Sequence, residues 1–144
     1  MQRNTRQRQA ILEVFERTAN PLSALETHRR VRARVPGAGL ATIYRALGAL
    51  AAEGRLSPVA LPGQPARYEK SAKEHHHYFQ CDECHRVFEI DACPGDMARQ
   101  APKGFAVKRH EVILYGECGE CGEKRRPAAR AGGRRTHARS RPKK

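Results

Sequence analysis

Four of the five cysteines fall into two pairs with two residues between the partners, Cys81 with Cys84 and Cys118 with Cys121. That spacing lets both thiolates of a pair reach one ion, and two pairs supply the tetrahedral sulfur set of structural zinc. In a reducing compartment such pairs are more often metal ligands than disulfides. A closed set of four sulfurs leaves no position for a substrate, so it implies stability and not catalysis. Gly119 and Gly122 ease the backbone of the second pair, and the 33 residues between Cys84 and Cys118 mean that the ion would clip a small sheet. Cys93 is left over. A lone thiol most often packs as a small buried hydrophobe, with a redox handle or a nearby metal ligand as alternatives.

A second group able to do chemistry is the run His75, His76, His77 just before Cys81. Alternate residues of a strand face opposite ways. His75 and His77 would then share one face and His76 the other, so one strand can feed two metal sites. A third group is Thr42, Tyr44 and Arg45, which lie off the apolar stripe made by Ile43 and Leu47. Near the start of a recognition helix, an arginine can bond a guanine edge, and threonine or tyrosine can hold a phosphate.

Periodicity and turn residues outline the scaffold around these groups. Ala10, Ile11, Val14 and Phe15 recur at helical spacing within 5–18. Ser23-Ala-Leu-Glu26 is a capping box that opens a helix over 24–35, and Pro36-Gly37-Ala38-Gly39 breaks it. A third helix starts near Ala41 and ends at Gly54 as a left-handed cap. Residues 56–61 and 66–69, joined through Pro62-Gly63, read as a β-hairpin. Three helices and a hairpin predict a winged helix-turn-helix. In the second half, 75–81, 87–90, 105–109 and 111–115 are strand candidates, and 94–100 a short helix. The expected class is α+β, divided into a winged-helix domain (1–69), a hinge (70–75), a metal-binding dimerisation domain of α/β type (76–123) and a disordered basic tail (124–144).

The net charge of +13 is uneven: residues 124–144 hold ten Lys or Arg and no acid, leaving +3 for the rest. The tail therefore suits a polyanion. No apolar run reaches the roughly 20 residues of a membrane span, and the N-terminus has no signal-peptide pattern, so no membrane contact and a cytoplasmic location are expected.

In combination these segments resemble the ferric uptake regulator family of bacterial metalloregulators. The likeness is carried by Thr5-Arg-Gln-Arg-Gln-Ala-Ile-Leu, Ser23-Ala, Ala41-Thr-Ile-Tyr-Arg-Ala-Leu, Tyr68-Glu69, the His run before the first Cys pair, and His110 to Tyr115-Gly116 leading into the second. It spans about residues 5–122; the tail lies outside it. The resemblance implies a non-enzymatic repressor that binds a palindromic operator on double-stranded DNA as a metal-loaded homodimer. It implies DNA contacts from Tyr44 and Arg45 and from the region of Arg6 and Arg8. It adds Asp96 and His110 to His75 and His77 as a second, regulatory site for Zn2+, Fe2+ or Mn2+. For the family's sensing site it matches Glu69, His76 and Glu89, but Tyr78 stands where a His is expected and a further His near Pro21 is missing. That site is therefore expected to be depleted, with Tyr78 or His28 as substitute ligands. The competing readings are a zinc-ribbon nucleic-acid adaptor and a metallohydrolase using the His set.

Overall fold

The structure, a computed structural model, describes residues 2–126, with side chains from Thr5 onward. The front half contains α1 (Gln2–Glu16), β1 (Leu22–Ser23), α2 (Ala24–Arg32), α3 (Leu40–Ala52), β2 (Leu56–Val59) and β3 (Arg67–Lys70). The strands form an antiparallel sheet in the order β1-β3-β2. Helices α2 and α3 with the β2–β3 hairpin make the winged helix-turn-helix.

Local chemistry accounts for these boundaries. The Ser23 hydroxyl accepts the Glu26 amide at 3.2 Å, and the Glu26 carboxylate accepts the Ser23 amide at 2.8 Å. This reciprocal cap satisfies two donors that the first turn of α2 cannot pair internally. Helix α2 stops at Arg32, three residues before the expected end. Gly54, at φ +69°, lets the chain leave α3 while Arg55 N–H bonds back to Leu50 O. Gly63, also at φ +69°, turns the hairpin as Gln64 N–H closes on Leu61 O. Ile11, Phe15, Val31, Ile43, Leu47, Leu50 and Leu56 are essentially fully buried in one core.

The rear half contains β4 (His77–Cys81), β5 (Val87–Ile90), a 3-10 turn (Ala98–Gln100), β6 (Ile113–Gly116) and α4 (Gly119–Arg125). Strand β4 is central: it pairs antiparallel with β5 and parallel with β6. The rear half departs from expectation in three places. Residues 105–109 form no strand, because no neighbouring chain among the described residues supplies a ladder; Phe105 is 72% exposed. Of 94–100 only the last turn is helical. The chain from Lys124 is not wholly tail, since α4 runs on to Arg125, whose guanidinium pairs with Glu83 and Glu117. The remainder of the expected tail lies outside the described residues.

The two halves share contacts. Val59 and Leu61 from the hairpin pack with Val87 of β5. Asn20 Oδ1 accepts the Glu89 amide at 3.0 Å. The Arg67 side chain, only 4% exposed, donates to Glu26 (2.5 Å), Pro21 O (3.3 Å), Gln64 (3.2 Å) and His85 O (2.6 Å). One guanidinium thus ties the capping box of α2 to the turn of the first Cys pair.

Candidate metal centres and DNA-reading face

Cys81 ends β4, Cys84 follows in a turn, Cys118 caps α4 and Cys121 lies in its first turns. The turn closes through His85 N–H on Cys81 O at 3.0 Å, with His85 in the left-handed region at φ 57°. The parallel pairing that sets Cys81 opposite Gly116 brings the second pair alongside. All four sulfurs lie within 4.8 Å of one another and all are free thiols. Cys84 Sγ and Cys118 Sγ are 3.8 Å apart. A tetrahedron with Zn–S near 2.3 Å has edges of about 3.8 Å, whereas a disulfide needs about 2.05 Å. The residues therefore fit zinc.

The electrostatics agree. Burial pushes the Cys81 thiol up, but amides of Cys84, Cys118 and Glu83 outweigh it and bring it to about 6. Cys84 is also raised by burial yet lowered overall, chiefly by the Arg86 guanidinium. Cys121, crowded by the Cys118 sulfur and by burial, is pushed up to about 12, as expected where thiolates share one space without a cation. Arg86 donates to Cys84 Sγ at 3.4 Å and to Cys118 Sγ at 3.8 Å, and is itself held by Glu120 at 2.7 Å. It would offset the surplus negative charge of four thiolates around a divalent ion.

A second cluster joins His75, His77, His110 and Cys93, again within 4.8 Å. His75 Nε2 lies 3.1 Å from His110 Nε2, and Cys93 Sγ lies 3.2 Å from the same atom. The His77 ring meets His75 edge-on at 4.5 Å and stacks on His110 at 5.1 Å. His77 is buried; its Nδ1 accepts Val112 N–H at 3.1 Å, and its Nε2 has no partner among the described residues. Burial, with the neighbouring imidazoles, holds it below the usual histidine range, so it stays neutral, the form that ligates. Whichever nitrogen takes a metal, Val112 N–H loses its acceptor: either that lone pair is used, or the ring proton moves onto Nδ1. Asp96, expected here, is not brought to the cluster. Its carboxylate accepts Ala98 N–H at 2.8 Å, two residues on, in a local turn. Cys93, expected to be buried, is exposed and stands beside the imidazoles instead.

The third cluster is Glu69, His76 and Glu89. His76 Nε2 is 3.1 Å from Glu69. Tyr78, opposite Glu89 across the β4–β5 ladder, donates its hydroxyl to Glu69 at 2.9 Å. Burial and that carboxylate hold its phenol protonated far above the neutral range. The ammonium of Lys73, which no sequence motif singles out, pairs with Glu89, lies 3.5 Å from Glu69 and donates to Ala19 O. A cation from the chain itself already sits against both carboxylates. His28, the other substitute considered, lies 2.9 Å from Ala38 O in the front half.

On α3, Tyr44 is 52% exposed and Arg45 is exposed, with Arg45 reaching Thr42 Oγ1 at 3.4 Å. Ile43, Ala46 and Leu47 fill the buried side. Arg6 is exposed on α1, whereas Arg8 forms a forked pair with Glu53 at 2.5 and 3.0 Å. Arg29, Arg30 and Arg32, exposed in the last turn of α2, add positive charge that motif and spacing alone did not assign.

Fold and sites together define a winged-helix protein with a cluster of four cysteines and a second cluster rich in histidine. The model of the ferric uptake regulator family matches residues 2–115, and the chain belongs to that family, whose members are transcriptional regulators and not enzymes. The chain is 33% identical over 116 residues to the ferric uptake regulation protein of Bordetella parapertussis, covering 77% of this chain and 83% of that one. It is 30% identical over 124 residues to the zinc uptake regulation protein of Mycobacterium tuberculosis, covering 83% and 94%. The solved Helicobacter pylori ferric uptake regulator, described with three functional metal-binding sites, aligns with TM-score 0.64 and 27% identity over 83% of this chain and 82% of that one. Among the described residues no helix is long and apolar enough to cross a membrane.

Proposed function

We propose that the protein is a metal-responsive repressor that binds a palindromic operator as a homodimer, with the reversible metal held by the His75, His77 and His110 cluster. The observation that carries this reading is the pairing of an exposed Tyr44 and Arg45 and a half-buried Thr42 on α3 with a buried, neutral imidazole in the rear half whose Nε2 has no partner among the described residues. The first is a surface suited to DNA; the second is a buried polar atom without a partner, which a folded protein seldom leaves without use. The Cys cluster takes a structural zinc. The reversible ion is Zn2+, Fe2+ or Mn2+.

Dimerisation is supported by the rear half's exposed apolar groups. Leu114 and Tyr115 on β6 are 50% and 52% exposed, and Phe105 and Val107 nearby in sequence are also open. Burying this surface against a second copy would pair two DNA-reading helices, as a palindrome requires. The Glu69, His76 and Glu89 cluster is not the sensor in this reading, because the Lys73 ammonium already sits against both carboxylates and offsets one of their two charges.

An electrophoretic shift with a palindromic duplex tests the proposal. Binding should require added metal, disappear with chelator and exceed binding to a scrambled duplex. Equal retardation of both duplexes, insensitive to metal, would leave only charge-driven association.

A further inference from the structure

The three imidazoles gather around a sulfur. We propose that Cys93 is a ligand of the reversible metal, so that His75, His77, His110 and Cys93 form a site of three nitrogens and one sulfur for a zinc-class cation. This deepens the functional reading above and rests on it for the location of that metal.

Four observations carry it. Cys93 Sγ and His75 Nε2 both lie near His110 Nε2, at 3.2 and 3.1 Å. Ligand nitrogens about 2.05 Å from zinc in a tetrahedron are about 3.3 Å apart, so these spacings approach a metal's first coordination sphere. His77 is 1% exposed and its Nε2 has no hydrogen-bond partner among the described residues, so this group is incomplete as it stands. The loop presents the sulfur: Gly95, at φ +90°, turns so that its N–H donates to Cys93 Sγ at 3.4 Å and fixes the sulfur beside the imidazoles. The nearest carboxylate that follows in sequence, Asp96, is engaged with Ala98 N–H and supplies no oxygen.

The chemical consequence is selectivity. A set of three imidazoles and one thiolate is soft enough for zinc or cobalt and poor for manganese, which favours carboxylate and water. On binding, the thiol proton leaves to solvent and the sulfur lone pair takes the metal, leaving three neutral ligands and one anionic.

Cobalt(II) is the probe. The full chain, with zinc retained at the four-cysteine centre, is titrated with cobalt while zinc release is monitored. The wild type should gain a near-ultraviolet thiolate-to-cobalt charge-transfer band. Cys93→Ser, an exposed change that leaves the core alone, should bind cobalt without that band. It should also lose at least about tenfold in zinc affinity, the loss that even an outer-sphere partner can cause. Asp96→Asn should titrate as wild type. Cobalt bound without the band in wild type, or the same band in Cys93→Ser, overturns Cys93 as ligand and leaves the histidine site standing. No cobalt bound outside the four-cysteine centre overturns both this proposal and the functional reading.

Discussion

Arg67 bonds to both halves of the chain. It is almost fully buried, and its donors reach Glu26 in the front half and His85 O in the rear. Removing one partner of a buried ion pair costs about 3–5 kcal/mol, because the other charge remains uncompensated. Arg67→Met should therefore lower the unfolding free energy of the zinc-loaded protein by about that amount, read from urea denaturation. A loss below about 1 kcal/mol, typical of exposed pairs, would show that the guanidinium is a bystander. Nothing in the sequence marked Arg67, because its partners lie 41 and 18 residues away. The cysteine pairs were legible since ligation imposes a local spacing. Asp96 was misplaced for the opposite reason: likeness to a family supplied a position, while the carboxylate bonds locally to Ala98 N–H.

At the scale of elements, β4 distributes the chemistry. Its register sets Tyr78 against Glu89 on one side and Ile113 on the other, and the His run leads into it. The split of His75 and His77 from His76 was readable from the period of a strand. What was not readable is the ammonium in the third cluster. Lys73 lies four residues after Glu69, a separation that says little outside a helix, and only the bend that follows β3 brings it to Glu89 and Ala19 O. Lys73→Ala should uncover the pair of carboxylates beside His76, and calorimetric titration with manganese or zinc should then show an additional reversible site. Unchanged stoichiometry would mean that the missing imidazoles, and not the lysine, keep metal out. The caps and turns of the front half were readable because Ser23, Glu26, Gly54 and Gly63 act through their immediate neighbours. The strand expected over 105–109 failed because extended backbone becomes a strand only where another edge meets it.

For the whole molecule, the contrast between halves matters most. The front half buries a continuous apolar core, while in the rear half, among the described residues, the buried hydrophobic ones are Cys81, Val87 and Cys118. Small units of this kind draw stability from metals and from association. In the proposed function, metal in the rear half governs how two front halves are presented to DNA, and coupling between such sites commonly amounts to about 5–150-fold in affinity. The most direct test is operator affinity by fluorescence anisotropy, titrated against buffered free zinc, for the wild type and His110→Ala with the four-cysteine zinc verified in both. Wild-type affinity should rise within that range as zinc is raised, and His110→Ala should stay at the metal-free value. A wild type indifferent to zinc, or a His110→Ala variant that responds as the wild type does, would refute control by the histidine cluster.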